Sequence, residues 1–393
     1  MTVVRAFSVD GYDRLATRCN VFWPYRMVRF MNEAALHELL SGRRRDVSAR
    51  ALRAILTVGS WGYSAVMGLR NAAYNRNWLT VHKAPAPVIS LGNITTGGTG
   101  KTPMAAWLAN WLLSEGFRPG LLSRGYRSLE SSTIAAEAVS GQAAGNDEKR
   151  VLDRLCPGVP HLQQRDRVAS ALRLCQDFDC NVLILDDGFQ HRRLHRDLDL
   201  VLIDALQPWG FGHILPRGLL RESMPGLKRA DLIVVTRADQ CSGSVRDDLR
   251  RELVRLRRSA ECVEIAFVPT RLVGLDGGVH PISLARDQTA LSFCGIGNPV
   301  GFRRTLVTLG ASGPLRVYPD HYHYQPTDFR ELAQQAIENH CEIALTTMKD
   351  MVKIPAASWT GPPLYAVEIG VEFLAGEDLL KQQLRDVTTS NRS

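Results

Sequence analysis

The stretch Val88-Ile-Ser-Leu-Gly-Asn-Ile-Thr-Thr-Gly-Gly-Thr-Gly-Lys-Thr102 decides the fold. An apolar run of strand length enters a glycine-rich turn, and a helix-compatible run from Pro103 to Ser114 leaves it. A phosphate-cradling loop belongs between a strand and a helix N-terminus, where backbone N–H groups have no helical partner of their own. Gly97, Gly98 and Gly100 let those N–H groups converge on phosphate oxygens, and Lys101 brings a cation to the β- and γ-phosphates. The Thr102 hydroxyl is a candidate ligand for Mg²⁺. The pattern G-x-x-x-x-G-K-[ST] asks for glycine at position 95, where this chain has Thr95. The lysine is informative in itself, because the chain holds seven lysines against 41 arginines. Thr95, Thr96, Gly97, Gly98, Thr99, Gly100, Lys101 and Thr102 are therefore the candidate nucleotide-phosphate cradle.

Outward from this loop the chain alternates. Val182–Leu185, Leu200–Ile203, Leu232–Val235 and Ala290–Phe293 are further short apolar runs, separated by helical stretches such as Arg167–Gln176. Continuous apolar strands alternating with helices predict a mainly parallel sheet covered on both faces. The expected fold class is α/β, with a P-loop NTPase-type core over 84–265. The run Val268-Pro-Thr-Arg-Leu-Val273, the turn Leu275-Asp-Gly-Gly-Val279 and the following Pro281-Ile-Ser-Leu284 predict a hairpin hinge over 266–290. A smaller C-terminal α/β domain would occupy 291–393. The run after Cys180 ends in Asp186-Asp187, where ligands bind in a doubly wound sheet, so both carboxylates are candidates for holding Mg²⁺.

Composition narrows the class. The chain of 393 residues is 45% hydrophobic and 22% charged, which excludes a disordered polymer, and its eight cysteines form no C-x-x-C pair, which argues against a structural zinc site. Residues 1–80 carry twelve Arg, no Lys and five Asp or Glu, whereas the other 313 residues hold 36 basic and 35 acidic side chains. The positive charge is thus confined to the N-terminal fifth, and no nucleic-acid partner is indicated for the rest. Within 1–83 a basic, aromatic lead (Phe22, Trp23, Tyr25, Arg26, Arg29) precedes Arg43-Arg44-Arg45 and an uncharged run from Ala54 to Leu69. As a helix that run spans roughly 24 Å, short of the ~30 Å hydrocarbon core. It reads as an interfacial helix with arginines at its rim, a membrane-associating segment rather than a signal peptide.

Three classes compete: a kinase acting at a membrane, a kinase or ligase acting on a soluble small molecule, and a P-loop nucleotide-switch or metal-delivery protein. Thr236-Arg-Ala-Asp239 faintly resembles a guanine-reading [NT]-K-x-D box, but Arg237 replaces the lysine, so GTP is not indicated.

A family resemblance favours the first class. Gly92 to Pro103 resembles the phosphate loop of the tetraacyldisaccharide 4'-kinases, the lipid A 4'-kinases, which also lack the first glycine. Ser123-Arg-Gly-Tyr126 and Asp186-Asp-Gly-Phe-Gln-His191 resemble two further motifs of that family, the second its most distinctive. Gly145-Asn-Asp-Glu148, with one residue inserted, Leu215-Pro-Arg-Gly-Leu-Leu-Arg-Glu222, Pro319-Asp-His-Tyr-His-Tyr324 and Thr347-Met-Lys-Asp350 follow in the same order. The likeness covers about 35–375, and residues 1–30 lie outside it.

The resemblance implies transfer of the γ-phosphate of ATP, with Mg²⁺, to the 4'-hydroxyl of a lipid A disaccharide 1-phosphate. The expected location is the cytoplasmic face of the bacterial inner membrane, with no obligate protein partner. It further implies Asp147 as the base, His321 as its partner and Lys101 as the phosphate cation. Asp186, Asp187 and Glu222 are implied as metal- and phosphate-site organisers. Arg124, His191 and Arg192 are candidate contacts to the substrate's 1-phosphate.

Overall fold

The computed structural model describes residues 33–124, 146–257 and 261–389, which build one sheet of twelve strands. β1 (Val88–Asn93) lies between β4 (Val182–Asp186) and β5 (Leu198–Asp204), parallel to both. β2 (Pro119–Ser123) and β3 (His161–Gln163) continue the sheet beyond β4. β6 (Leu232–Thr236) and β7 (Cys262–Gly274) continue it beyond β5. β1, β2, β4 and β6 are buried at every position, the expected result for apolar strands with helices on both faces. Among those helices, α3 (Lys101–Ser114) packs Met104, Leu108 and Leu112 onto the sheet. Each strand read from the sequence is present, extended by one to three residues.

The other half of the sheet is formed by β9 (Ala290–Cys294), β10 (Leu315–Val317), β11 (Ile343–Thr347) and β12 (Leu364–Ala375). β9, β10 and β11 are parallel to one another, β12 is parallel to β11, and β12 runs antiparallel to β7. β7 therefore crosses the segment read as a hinge. It pairs with β6 only through Ile265, and with β12 from Glu264 to Gly274. From Ala266 to Arg271 the ladder consists of β7 and β12 alone, as β11 pairs only as far as Val367. A register shift falls between Glu368 and Ile369, opposite Pro269, which has no N–H to give to a ladder. The predicted hairpin is present: β8 (Val279–His280) folds back on Leu272 and Val273.

Ahead of the sheet come α1 (Glu33–Leu40) and α2 (Val47–Asn75). The uncharged run lies inside α2, a helix of 29 residues whose start is fixed by the Asp46 side chain accepting the Ala49 N–H. Ala49, Ser60, Met67 and Tyr74 bury one face, while Val47, Ile55, Val58, Trp61 and Leu69 are exposed on the other. Ser60 Oγ donates to the Ile214 carbonyl at 2.9 Å, Tyr63 donates to the Arg221 carbonyl at 3.0 Å, and Arg70 donates to the Gln190 carbonyl at 2.9 Å. The helix thus lies directly on loops of the site. Among the described residues no helix is long and apolar enough to cross a membrane. The aromatic lead of residues 22–29, with Gly125, Tyr126 and Gly145 of the motifs above, lies outside the described residues.

Candidate active site

The phosphate loop leaves β1 at the C-terminal edge of the sheet, and its last glycine starts α3. Gly100 has φ 86°, and a Cβ there would overlap the Phe267 ring of β7, so both backbone and space demand glycine. Gly92 is similarly crowded by Phe189, which seats the Asp186-Asp-Gly-Phe189 turn against the end of β1. Residues 214–221 run alongside: the Thr96 N–H donates to the Leu219 carbonyl, and the Arg221 N–H to the Ile94 carbonyl, both at 2.7 Å.

This arrangement collects charge around Lys101. Its Nζ lies 3.4 Å from Asp187 Oδ1, and Arg221 donates to both oxygens of Asp187 at 2.7 and 2.9 Å. Burial pushes the Asp187 carboxyl up, but Lys101, Arg221 and Arg167 outweigh it and hold the group well below the carboxylate range. Asp186 lacks such a fork. Burial, with Asp187 and Glu148 nearby, raises it to about 7 despite Lys101.

A second charged group surrounds Asp147, the first residue of α4 (Asp147–Leu155), which Asn146 caps. Arg150 donates to Asp147 Oδ1 at 3.0 Å, Lys353 Nζ lies 3.6 Å from Oδ2, and His321 Nδ1 lies 3.7 Å from the same oxygen. Burial raises the Asp147 carboxyl, and His321, Lys353 and Arg150 together reverse this, leaving it at about 2. Lys353 also pairs with the fully buried Asp350 at 3.2 Å, and Arg150 donates to the Val352 carbonyl at 2.8 Å. The turn after β11 is thereby tied to the start of α4.

The remaining candidates fall elsewhere. Glu222 is buried, with Oε2 taken by Arg229 at 2.7 Å and Asn71 at 3.3 Å, and Oε1 by Gln190 at 3.0 Å. Arg192 reaches back to α2, donating to the Asn71 carbonyl at 3.1 Å and to Asn75 Oδ1 at 2.8 Å. His191 is driven down to about 2 by burial and by Arg167, Arg70, Arg196 and Arg193, so it is neutral. Arg124 follows β2, half-buried at the same edge of the sheet.

Sequence reading missed Arg221, Lys353 and the use made of Arg237. The last donates to the Gly98 carbonyl at 2.8 Å while its guanidinium grips Asp204. The Thr236-Arg-Ala-Asp239 motif was the available signal, and the structure puts its arginine on the phosphate loop. Lys353 left no such signal, as it meets Asp147 only through the fold.

A phosphate loop, its lysine balanced by an acidic strand end, and a carboxylate beside an imidazole define a P-loop phosphotransferase. The family model described as tetraacyldisaccharide-1-P 4'-kinase matches residues 52–389, and the chain belongs to that family. A tetraacyldisaccharide 4'-kinase of Syntrophus aciditrophicus is 37% identical over 355 residues, covering 87% of this chain and 92% of its own. The one of Geobacter sulfurreducens is also 37% identical, covering 84% and 92%. Among solved structures, the LpxK of Aquifex aeolicus in complex with ATP matches with a TM-score of 0.67 at 27% identity, covering 86% of this chain and 99% of that one.

Proposed function

We propose how this lipid A 4'-kinase moves the γ-phosphate of ATP to the 4'-hydroxyl of tetraacyldisaccharide 1-phosphate. The loop from Thr95 to Thr102 holds the phosphates through its N–H groups, and Lys101 meets the β- and γ-phosphate charge. Asp187, ionised and paired with Lys101 and Arg221, keeps both cations aimed at that end of the cleft. Thr102, Asp186 and Asp187 would hold Mg²⁺, since all three offer oxygen, the hard donor this cation takes. Bound there, Mg²⁺ would neutralise charge on the transferred phosphate. Glu222, tied to Gln190, Arg229 and Asn71, organises the 190–222 loops.

Asp147 accepts the proton of the 4'-hydroxyl as its oxygen bonds to the γ-phosphorus and the bond to the ADP oxygen breaks. A carboxyl at about 2 is a weak base. That suffices for a loose phosphoryl-transfer transition state, in which the hydroxyl needs orientation more than early deprotonation. His321 holds the carboxylate from the side away from Arg150 and is its partner in this step. The exposed apolar face of α2, from Val47 to Leu69, rests in the cytoplasmic surface of the inner membrane, where a multiply acylated substrate resides.

The observation that carries the reading is the convergence of His321, Lys353 and Arg150 on one carboxylate. Asp147→Ala should lower turnover by about 10²–10⁴-fold with ATP affinity little changed. His321→Ala should cost less, and the double variant little more than Asp147→Ala, as members of one unit are not additive. Turnover measured against Mg²⁺ is the check: full rescue by excess metal, or strictly additive losses, removes the pair from the mechanism.

A further inference from the structure

A chain of polar side chains, buried at Ser123 and His161 and half-buried beyond them, runs from β2 and β3 to the residue before Asp147. His161, with its side chain 1% exposed, has Nδ1 at 3.1 Å from Asp153 Oδ1 and Nε2 at 2.8 Å from Ser123 Oγ. Gln163 Nε2 donates to Ser123 Oγ at 3.3 Å and to Asn146 Oδ1 at 2.9 Å, and its Oε1 accepts the Asn146 N–H at 3.1 Å. Asn146 Oδ1 also accepts the Lys149 N–H at 3.0 Å, the capping bond of α4. Lys149 Nζ returns to Asp153 Oδ2 at 2.8 Å.

The proton order in this chain is determined. Asp153 accepts only, so His161 donates from Nδ1, and its Nε2 must accept the Ser123 O–H. Burial keeps the ring neutral against the pull of Asp153, which this order requires. Ser123 then accepts from Gln163, whose amide holds Asn146 by both its N–H and its side-chain oxygen. A serine–histidine–aspartate row usually suggests a nucleophile, but Ser123 is only 6% exposed and its lone pairs face Gln163. Here the row ends on a helix cap.

A cap needs only the Asn146 to Lys149 bond. The additional two-point grip by Gln163 fixes where the cap sits relative to β2 and β3, and so where the next residue presents its carboxylate. We propose that Ser123, His161, Gln163 and Asn146 are positioning residues that set the placement of the Asp147 carboxylate against the 4'-hydroxyl. The proposal rests on Asp147 being the base. A displacement of about 1 Å at a reacting group costs up to about 10²-fold, so severing the grip should slow turnover without weakening nucleotide binding.

Asn146→Ser separates capping from the side-chain half of the grip, since serine caps a helix but is too short to reach Gln163 Nε2, whereas Gln163→Leu removes both halves. Asn146→Ser and Gln163→Leu should each lower kcat by about 10-fold or more, with KM for ATP and the Tm near wild type. Asn146→Asp, which keeps both acceptor bonds, should recover most of the kcat lost in Asn146→Ser. Placed on Asp147→Ala, Gln163→Leu should add almost nothing. Unchanged kcat in both single variants, a rise in KM for ATP matching the loss, or an undiminished loss on Asp147→Ala would overturn the positioning role. Near-normal turnover of Asp147→Ala alone would instead remove the base and leave the grip without a client.

Discussion

The two ends of this site are built in opposite ways. The proposed nucleotide end is one contiguous segment, residues 92–103, that carries its own geometry in glycines and a helix N-terminus. The proposed acceptor end is assembled from Asp147, His321 and Lys353, which approach within 3.6–3.7 Å although they are far apart in the chain. A contiguous device is specified locally. An assembled one depends on every element between its parts. The nucleotide end should therefore lose function only through its own residues, while the acceptor end should also be sensitive to remote ones.

The sharpest break is Lys101→Ala. Removing the cation at the phosphates should cut turnover by about 10²-fold or more, since such electrostatic contributions are worth several kcal/mol in phosphoryl transfer. Far-ultraviolet circular dichroism should be unchanged, and turnover near wild type would show that 92–103 does not hold the nucleotide.

Arg237→Ala tests whether the nucleotide end is as self-sufficient as its sequence suggests. It frees the Gly98 carbonyl and strands Asp204, so KM for ATP should rise about 10-fold with kcat less affected, and Arg237→Lys should restore part of it. An unaltered KM would mean the loop holds its shape unaided.

Trp61→Asp with Leu69→Asp charges the outer face of α2 without touching its buried one. Co-sedimentation with anionic vesicles should drop by roughly 10-fold or more, as each apolar side chain taken into lipid contributes about 1.5–3 kcal/mol. Activity on bilayer-presented substrate should fall by a few-fold and activity on detergent-dispersed substrate should not. Equal losses on both would place the membrane contact elsewhere.

The smallest effect concerns the ion pairs of Asp147. Its folded value of about 2 lies below the unfolded value of about 3.9, so these pairs stabilise the fold fully above about pH 4 and lose effect as pH falls toward 2. The Tm gap between wild type and Asp147→Asn should narrow as pH falls below about 4. A gap that persists at the lowest pH would assign it to packing.

Much of the fold was legible because parallel strands buried on both faces are short apolar runs, as at Val182–Leu185 and Leu232–Val235. β2 was missed because it begins Pro119-Gly120, which reads as a turn. β12 was missed because its burial alternates without a strong apolar run, and its pairing is set by distant β7. The same division holds at the site. The phosphate loop and the acidic strand end stand in single stretches, whereas Asp147 and His321 were named only through a family likeness. Lys353 and Arg237 carry no local mark, because what makes them part of the site is proximity across the sheet.

Between the two halves of the sheet stands the stretch where β7 and β12 have only each other. Tearing that stretch would forfeit hydrogen bonds worth about 1 kcal/mol each, but an isolated pair of strands twists more readily than a wide sheet. The register shift opposite Pro269 falls inside this stretch. Asp147 precedes this ribbon in the chain while His321 and Lys353 follow its β7 strand, so the twist of two strands enters the distance between a carboxylate and its partners.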